Sequence, residues 1–226
     1  MKFSKNFLSI PTRPTKSRSE ATPSPLCERA DRGFEEVYQQ NLPEQMPWFW
    51  AGLDPDFAAE LEQRSVNSGR VVDLGGGSGT QAVALAKRGF HAASTDFSSA
   101  ALESGRTLAA REGVTVDFIL DDVTNTRITT QFDLVLDRGC FHIIAPARRL
   151  DYFKTVLRCL APQGLFFFKC FSSLEPPRPG PFRFSEAEIR EFFERELEIL
   201  ELRQSLFQGA REVFPKALFA VMQKRT

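Results

Sequence analysis

The sequence predicts an α/β fold: a seven-stranded, mostly parallel sheet that ends in an antiparallel hairpin, with helices on both faces. Three observations predict it. Residues 71–80, Val-Val-Asp-Leu-Gly-Gly-Gly-Ser-Gly-Thr, read as a buried strand, a glycine turn and the start of a helix. Short apolar strands then alternate with amphipathic helices through the middle of the chain, as in a sheet wound with crossover helices. The last two apolar runs, 198–206 and 217–223, flank a turn near Gln208-Gly209 and read as the hairpin.

A chain of 226 residues is long enough for one such domain with a full core, and short for two. The formal net charge is +0, so no basic excess argues for a nucleic-acid partner. No apolar run is long enough to span a bilayer, and no membrane partner is expected. The four cysteines, Cys27, Cys140, Cys159 and Cys170, lack C-x-x-C spacing. They read as reduced thiols, which suits a cytoplasmic protein. His91 and His142 cannot make a His-rich metal site, so no metal is expected. Residues 1–28 are rich in Ser, Thr, Pro and Lys/Arg, with no acid before Glu20. They read as a disordered tail, or as an organelle transit peptide. The folded domain is expected over 29–226, as a monomer.

The elements follow in order. A helix over 29–40 places Phe34, Val37 and Tyr38 on one side. Pro43 and Pro47 forbid a regular helix next, where Trp48, Phe49 and Trp50 stand. These aromatics read either as a lid over a site or as packing between the first helix and the core. A short helix with Phe57 and Leu61 leads to the first strand, where Val71 and Val72 suit a buried parallel sheet. The glycines that follow let the backbone turn tightly and approach a ligand closely. The next helix aims free N–H groups at that ligand. Gly75 and Gly77 match the start of a dinucleotide fingerprint, but its third position falls on Thr80. No Gly-Lys-Ser/Thr follows, so a P-loop is excluded; Ser78 is not in a G-x-S-x-G elbow. The pattern that fits is acid-x-Gly-x-Gly-x-Gly: Asp73, Gly75, Gly77, Gly79.

A helix over 81–88 stops at Gly89. The second strand, 92–96, ends at Asp96, where such folds grip a ribose diol. Asp96 can instead cap the helix over 98–112, as can Ser98. The third strand, 116–120, closes on Asp121-Asp122. The fourth begins at Phe132 and ends at Asp137, over the crevice where open α/β sheets bind ligands. Arg138 can pair with a carboxylate of a ligand or of the protein. His142 and Asp137 are the candidate catalytic bases; His142 can equally be a loop residue without chemistry. A helix over 149–160, a turn at Pro162-Gln163-Gly164 and a fifth strand over 165–171 follow. After a Pro/Gly/Arg connection at 176–181, Ser185 and Glu188 form a capping box for a last helix.

The acid-x-Gly-x-Gly-x-Gly stretch resembles motif I of the class I S-adenosylmethionine-dependent methyltransferases. The terminal hairpin is similar to the antiparallel end of their Rossmann-like sheet; an oxidoreductase sheet would continue parallel. The resemblance spans about residues 29–224. It implies S-adenosyl-L-methionine as cofactor, held by Asp73, Gly75, Gly77 and Gly79, with Asp96 on the ribose. It further implies an acid and a backbone N–H at the adenine, best matched by Asp122 and Val123, with Asp121 one place off. Trp48, Phe97, Asp137 and Arg138 complete the implied cofactor set. Met46-Pro47-Trp48, Asp137-Arg138-Gly139-Cys140-Phe141-His142 and Gly180-Pro181-Phe182-Arg183-Phe184-Ser185 resemble the thiopurine/thiol S-methyltransferase branch, which includes halide and thiocyanate methyltransferases. That branch implies a small-molecule substrate, a thiol or similarly soft nucleophile. A thiol, with a pKa of about 8.5, needs little help from a base. Three alternatives stay open: an O- or N-methyltransferase, including one for protein lysine; a nicotinamide oxidoreductase; and a cofactor-binding protein without turnover.

Overall fold

The computed structural model describes residues 30–177 and 179–225. The expected tail, its transit-peptide alternative and Cys27 lie outside the described residues.

The strands are β1 (Arg70–Leu74), β2 (His91–Asp96), β3 (Val116–Leu120), β4 (Phe132–Arg138), β5 (Leu160–Phe171), β6 (Leu197–Leu206) and β7 (Lys216–Lys224). They form one sheet in the order β3-β2-β1-β4-β5-β7-β6. β1 to β5 pair in parallel, with Val71 opposite Ala92 on one side and Leu134 on the other. β7 runs antiparallel between β5 and β6. The expected hairpin is therefore present, but only β6 lies at the edge. The expected turn at 162–164 is a bulge inside β5: Gln163 has φ 59°, and the β4–β5 register jumps between Phe132 and Leu134.

The helices are α1 (Ala30–Gln40), α2 (Pro55–Gln63), α3 (Thr80–Lys87), α4 (Ser99–Glu112), α5 (Arg149–Cys159) and α6 (Glu186–Phe193). Strand alternation splits the apolar side chains into two layers. Val71, Leu134, Leu136 and Phe167 meet Phe57 and Leu61 of α2 and Ala82 and Leu85 of α3. Val72, Val135, Phe166 and Phe168 meet Tyr152, Phe153 and Val156 of α5 and Ile189 and Phe193 of α6. The second layer is phenylalanine-rich: Phe141, Phe153, Phe166, Phe168, Phe184, Phe192 and Phe193 pack ring on ring at centroid distances of 4.9–5.9 Å. The capping box forms as expected, with the Ser185 hydroxyl and Glu188 carboxylate each bonded to the other residue's backbone N–H.

The β3–β4 crossover carries no helix. Residues 121–131 run as a loop, and a groove of about 480 Å3 opens beside it, lined by Arg70, Ala93, Asp117, Ile119, Arg127 and Phe132 among others. Arg70 and Phe132 begin their strands, so this groove lies away from the carboxyl ends of β1 and β4.

Candidate functional site

The glycine turn makes a cradle of bare backbone. Gly75, Gly77 and Gly79 have φ of +64°, +56° and +70°, which L side chains rarely adopt. Space forbids a side chain as well. A Cβ on Gly75 would stand 2.6 Å from Cys140 Sγ, and one on Gly76 would stand 2.3 Å from Ser94 Oγ and 2.5 Å from Asp73 Oδ2. Gly79 is the left-handed N-cap from which α3 starts.

Two carboxylates end beside this cradle. Asp96 Oδ2 accepts from the Gly77 N–H at 2.9 Å, and Oδ1 accepts from the Ser98 N–H at 2.8 Å. Burial raises its pKa to about 6 in spite of these bonds. Ser98, not Asp96, caps α4, through its hydroxyl and the Ala101 N–H. Asp73 is more extreme. Burial, reinforced by the charge of Asp137, raises its pKa to about 8. Its Oδ2 and the nearby Ser94 Oγ are buried with no hydrogen-bond partner. Such orphaned atoms are rare in folded proteins and mark a place where a ligand or water completes the bonding. A ligand that brings an ammonium group and vicinal hydroxyls fits this donor-poor, acceptor-rich cradle.

At the end of β3 the two acids separate. Asp121 turns inward and closes its own loop, accepting from Thr126 Oγ1 at 2.5 Å and the Arg127 N–H at 2.9 Å. Asp122 is exposed, with Thr124 on Oδ1 and Arg148 3.6 Å from Oδ2; Val123 beside it is buried. Of the two, Asp122 faces outward where a ligand can reach it.

At the end of β4 three of the expected site residues already have partners within the fold. Asp137 is fully buried and already holds its exit loop: it accepts from the Cys140 N–H at 2.7 Å, the Phe141 N–H at 2.9 Å and the Tyr152 hydroxyl. Burial lifts its pKa to about 6, against the pull of those donors. These bonds anchor the exit loop of β4 on its carboxylate. His142 is buried between the rings of Phe171 and Phe207, and its Nδ1 accepts the Phe171 N–H at 3.1 Å. Burial, then the positive charges of Arg183 and Arg138, lowers its pKa to about 3. Such an imidazole is a poor proton acceptor near neutral pH. Arg138 pairs with a protein carboxylate, Asp54, at 2.7 Å. Its other nitrogens donate to the backbone oxygens of Trp48 at 3.2 Å and Gln208 at 2.6 Å. Of the two alternatives for Arg138, the structure shows the pairing with a protein carboxylate.

Two segments lie over this edge of the sheet, and the aromatics of 48–50 pack against the first helix, as the second alternative expected. Trp48 Nε1 donates to the Tyr38 hydroxyl at 3.2 Å, and that hydroxyl lies 2.2 Å from where a Gly77 Cβ would be. Phe34 of α1 packs edge-on against Trp48 and Phe97. Glu35 anchors α1 to the start of α4, accepting from Ser99 Oγ at 2.9 Å and the Ala100 N–H at 3.3 Å. The 207–215 loop supplies the second segment: Phe214 meets Trp50 edge-on, and Gly209 fits only because it lacks a Cβ, which would stand 2.3 Å from Pro47 O. Below them lies a buried ion network that sequence reading missed. Lys169 Nζ bonds Asp54 Oδ1 at 2.7 Å, Asp56 Oδ2 at 2.6 Å and Gln208 Oε1 at 2.8 Å, and Arg203 also pairs with Asp56 at 2.8 Å. The available signals were Asp54-Pro55, a cap followed by proline at a helix start, and one lysine inside Phe-Phe-Phe-Lys-Cys-Phe.

Known proteins agree with this geometry. A family model described as a methyltransferase domain matches residues 71–164. The chain is 31% identical over 174 residues to the 2-heptyl-1-hydroxyquinolin-4(1H)-one methyltransferase of Mycobacteroides abscessus, covering 74% of this chain and 76% of that protein. It is 36% identical over 112 residues to the demethylmenaquinone methyltransferase of Clavibacter sepedonicus, covering 49% and 43%. Among solved structures, the Burkholderia thailandensis 1,6-didemethyltoxoflavin-N1-methyltransferase matches with TM-score 0.72 at 20% identity, covering 93% of each chain. The N-methyltransferase NodS of Bradyrhizobium japonicum matches with TM-score 0.67 at 17% identity, covering 85% and 99%. The glycine cradle, the sheet order and these relatives together establish that the chain belongs to the class I S-adenosyl-L-methionine-dependent methyltransferases.

Proposed function

We propose that the chain methylates a small, flat heteroaromatic acceptor whose hydroxyl or ring nitrogen ionises readily by itself. The observation that carries this reading is that Asp137 and His142, the two candidate bases, are both engaged within the fold. A positioned base normally contributes about 10²–10⁴-fold in rate. An acceptor that arrives as its anion does not need that help. The relatives that act on a hydroxyquinolinone and on didemethyltoxoflavin support a heterocyclic acceptor.

In this reading Asp73 and Ser94 hold the amino group of the cofactor, and the backbone of Gly75, Gly77 and Gly79 carries its amino-acid tail. Asp96 takes the ribose hydroxyls on its remaining lone pairs. Phe97, Asp122 and Val123 take the base, and Trp48 covers the cleft. The bound cofactor supplies a methyl group on a positively charged sulfur. The roof excludes water, and a dry site favours a step in which positive charge is lost. Asp54 and Asp56 neutralise Arg138 and Lys169, so the network presents little net positive charge to a sulfonium. Holding acceptor and donor in line within a closed site can supply about 7–11 kcal/mol of the barrier.

A second reading keeps the thiol or other soft nucleophile, as in the thiopurine/thiol branch. Met46-Pro47-Trp48 and the Asp137–His142 run support it, and a thiol also needs no strong base. Tritiated methyl transfer from S-adenosyl-L-methionine separates the readings, using N-hydroxyquinolones, ring N–H heterocycles, thiols, thiocyanate and a lysine-rich protein. Labelling of the heterocycles is expected. Labelling of thiols or thiocyanate alone selects the second reading, and labelling of the protein alone overturns both.

A further inference from the structure

We propose that Arg138 is a positioning residue that ties the cofactor side of the site to the acceptor side. The inference rests on the methyltransferase reading of the cradle. The guanidinium stands where three segments meet. Nε holds Asp54, the cap of α2; Nη1 holds the backbone oxygen of Trp48; Nη2 holds the backbone oxygen of Gln208. Its carbon lies 4.8 Å from the centre of the Phe207 ring. Its side chain is 7% exposed, and its bonds to Asp54 and Gln208 are partly buried while the one to Trp48 is exposed.

The two carbonyls belong to the two halves of the roof. Trp48 leads through its indole to Tyr38, whose hydroxyl overlies Gly77, and Gly77 in turn donates to Asp96. That path ends in the cofactor cradle. Gln208 and Phe207 begin the 207–215 loop. The Phe207 ring lies against His142 and Phe171 at the carboxyl ends of β4 and β5, beside the expected acceptor site. Planar geometry matters here. One guanidinium serves two carbonyls and a carboxylate at once, whereas an ammonium on a flexible stem cannot span all three. Lys169 makes a parallel link from Asp54 to the Gln208 side chain, but it reaches no atom of Trp48. Gly209 and Phe214 also pack directly on Pro47 and Trp50, but Arg138 is the side chain that bonds the backbones of Trp48 and Gln208 at once.

Filling the cradle fixes Tyr38 and Trp48. Through Arg138 it then fixes the 207–215 loop before the acceptor arrives. The two sites are thereby coupled, and coupling between sites commonly amounts to about 5–150-fold in affinity.

Amide hydrogen exchange with S-adenosylhomocysteine as the probe tests this. In the wild-type protein, saturating probe should slow exchange in peptides covering both 42–53 and 207–215, by about tenfold. In Arg138→Gln and in the milder Arg138→Lys, calorimetry should still show binding. The 42–53 peptide should stay protected while protection of 207–215 falls below about twofold. Unchanged protection of 207–215 in both Arg138 variants overturns the proposal and leaves the methyltransferase reading intact. Failure of the wild-type protein to bind the probe overturns both.

Discussion

The cofactor half and the acceptor half of the cleft are built on opposite plans. Around the glycine turn, backbone is left bare and two buried oxygens, Asp73 Oδ2 and Ser94 Oγ, have no partner. Around β4 and β5, Asp137 has three donors, Arg138 has three acceptors and Lys169 has three acceptors. The first half is incomplete without a ligand; the second is complete by itself. In the proposed reading, polar recognition falls to the cofactor and aromatic walls meet the acceptor. A buried polar group that already has its partners stabilises a fixed shape; one without them discriminates strongly for the ligand that brings them.

The contrast can be broken in four places, taken here from the largest expected effect. Asp96→Ala should weaken S-adenosylhomocysteine binding by at least about 100-fold in calorimetry, since charge-assisted bonds contribute about 1.5–3 kcal/mol each. A loss under threefold would remove Asp96 from the cofactor site. Lys169→Met should lower unfolding stability by about 3–5 kcal/mol in urea, because it leaves buried carboxylates short of a cation. A cost below about 1 kcal/mol would show that the acceptor half does not depend on its ion network.

Asp73→Asn should divide stability from function. In the ligand-free fold Asp73 stays protonated up to about pH 8, while the unfolded chain ionises it near pH 4. Its contribution to stability is thus full below about pH 4 and is lost progressively as pH rises to about 8. Asparagine has no such dependence, so the variant should be more stable than wild type at pH 8, by about 1–3 kcal/mol, yet bind S-adenosylhomocysteine less tightly. Thermal melts across that pH range check the sign. The smallest effect is expected for His142→Gln, whose amide oxygen can still accept the Phe171 N–H. Its kcat should stay within about threefold of wild type, with an unchanged pH–rate profile, where loss of a true base would cost about 10²–10⁴-fold.

The same contrast explains what the sequence made legible. The glycine turn is local: seven consecutive residues, Asp73 to Gly79, declare both its strain and its acid. The alternation of strands and helices was legible from apolar patterning, and the antiparallel hairpin from the turn signal near Gln208-Gly209. The acceptor half is assembled from afar. Arg138 meets Asp54, 84 residues away, and Lys169 meets the same Asp54 from 115 residues away. No spacing rule reveals such pairs before the sheet brings them together. Asp137 and His142 stayed ambiguous for a related reason. A polar residue at a strand end can serve a ligand or its own loop, and the backbone N–H groups that decide the matter are invisible in a list of side chains.

The roof segment has one further consequence. Trp48 and Trp50 are the only tryptophans among the 226 residues, while the core is filled with phenylalanine. Light absorbed by indole therefore senses this segment alone. The enzyme thus carries its own optical probe of this segment, readable in the unlabelled molecule.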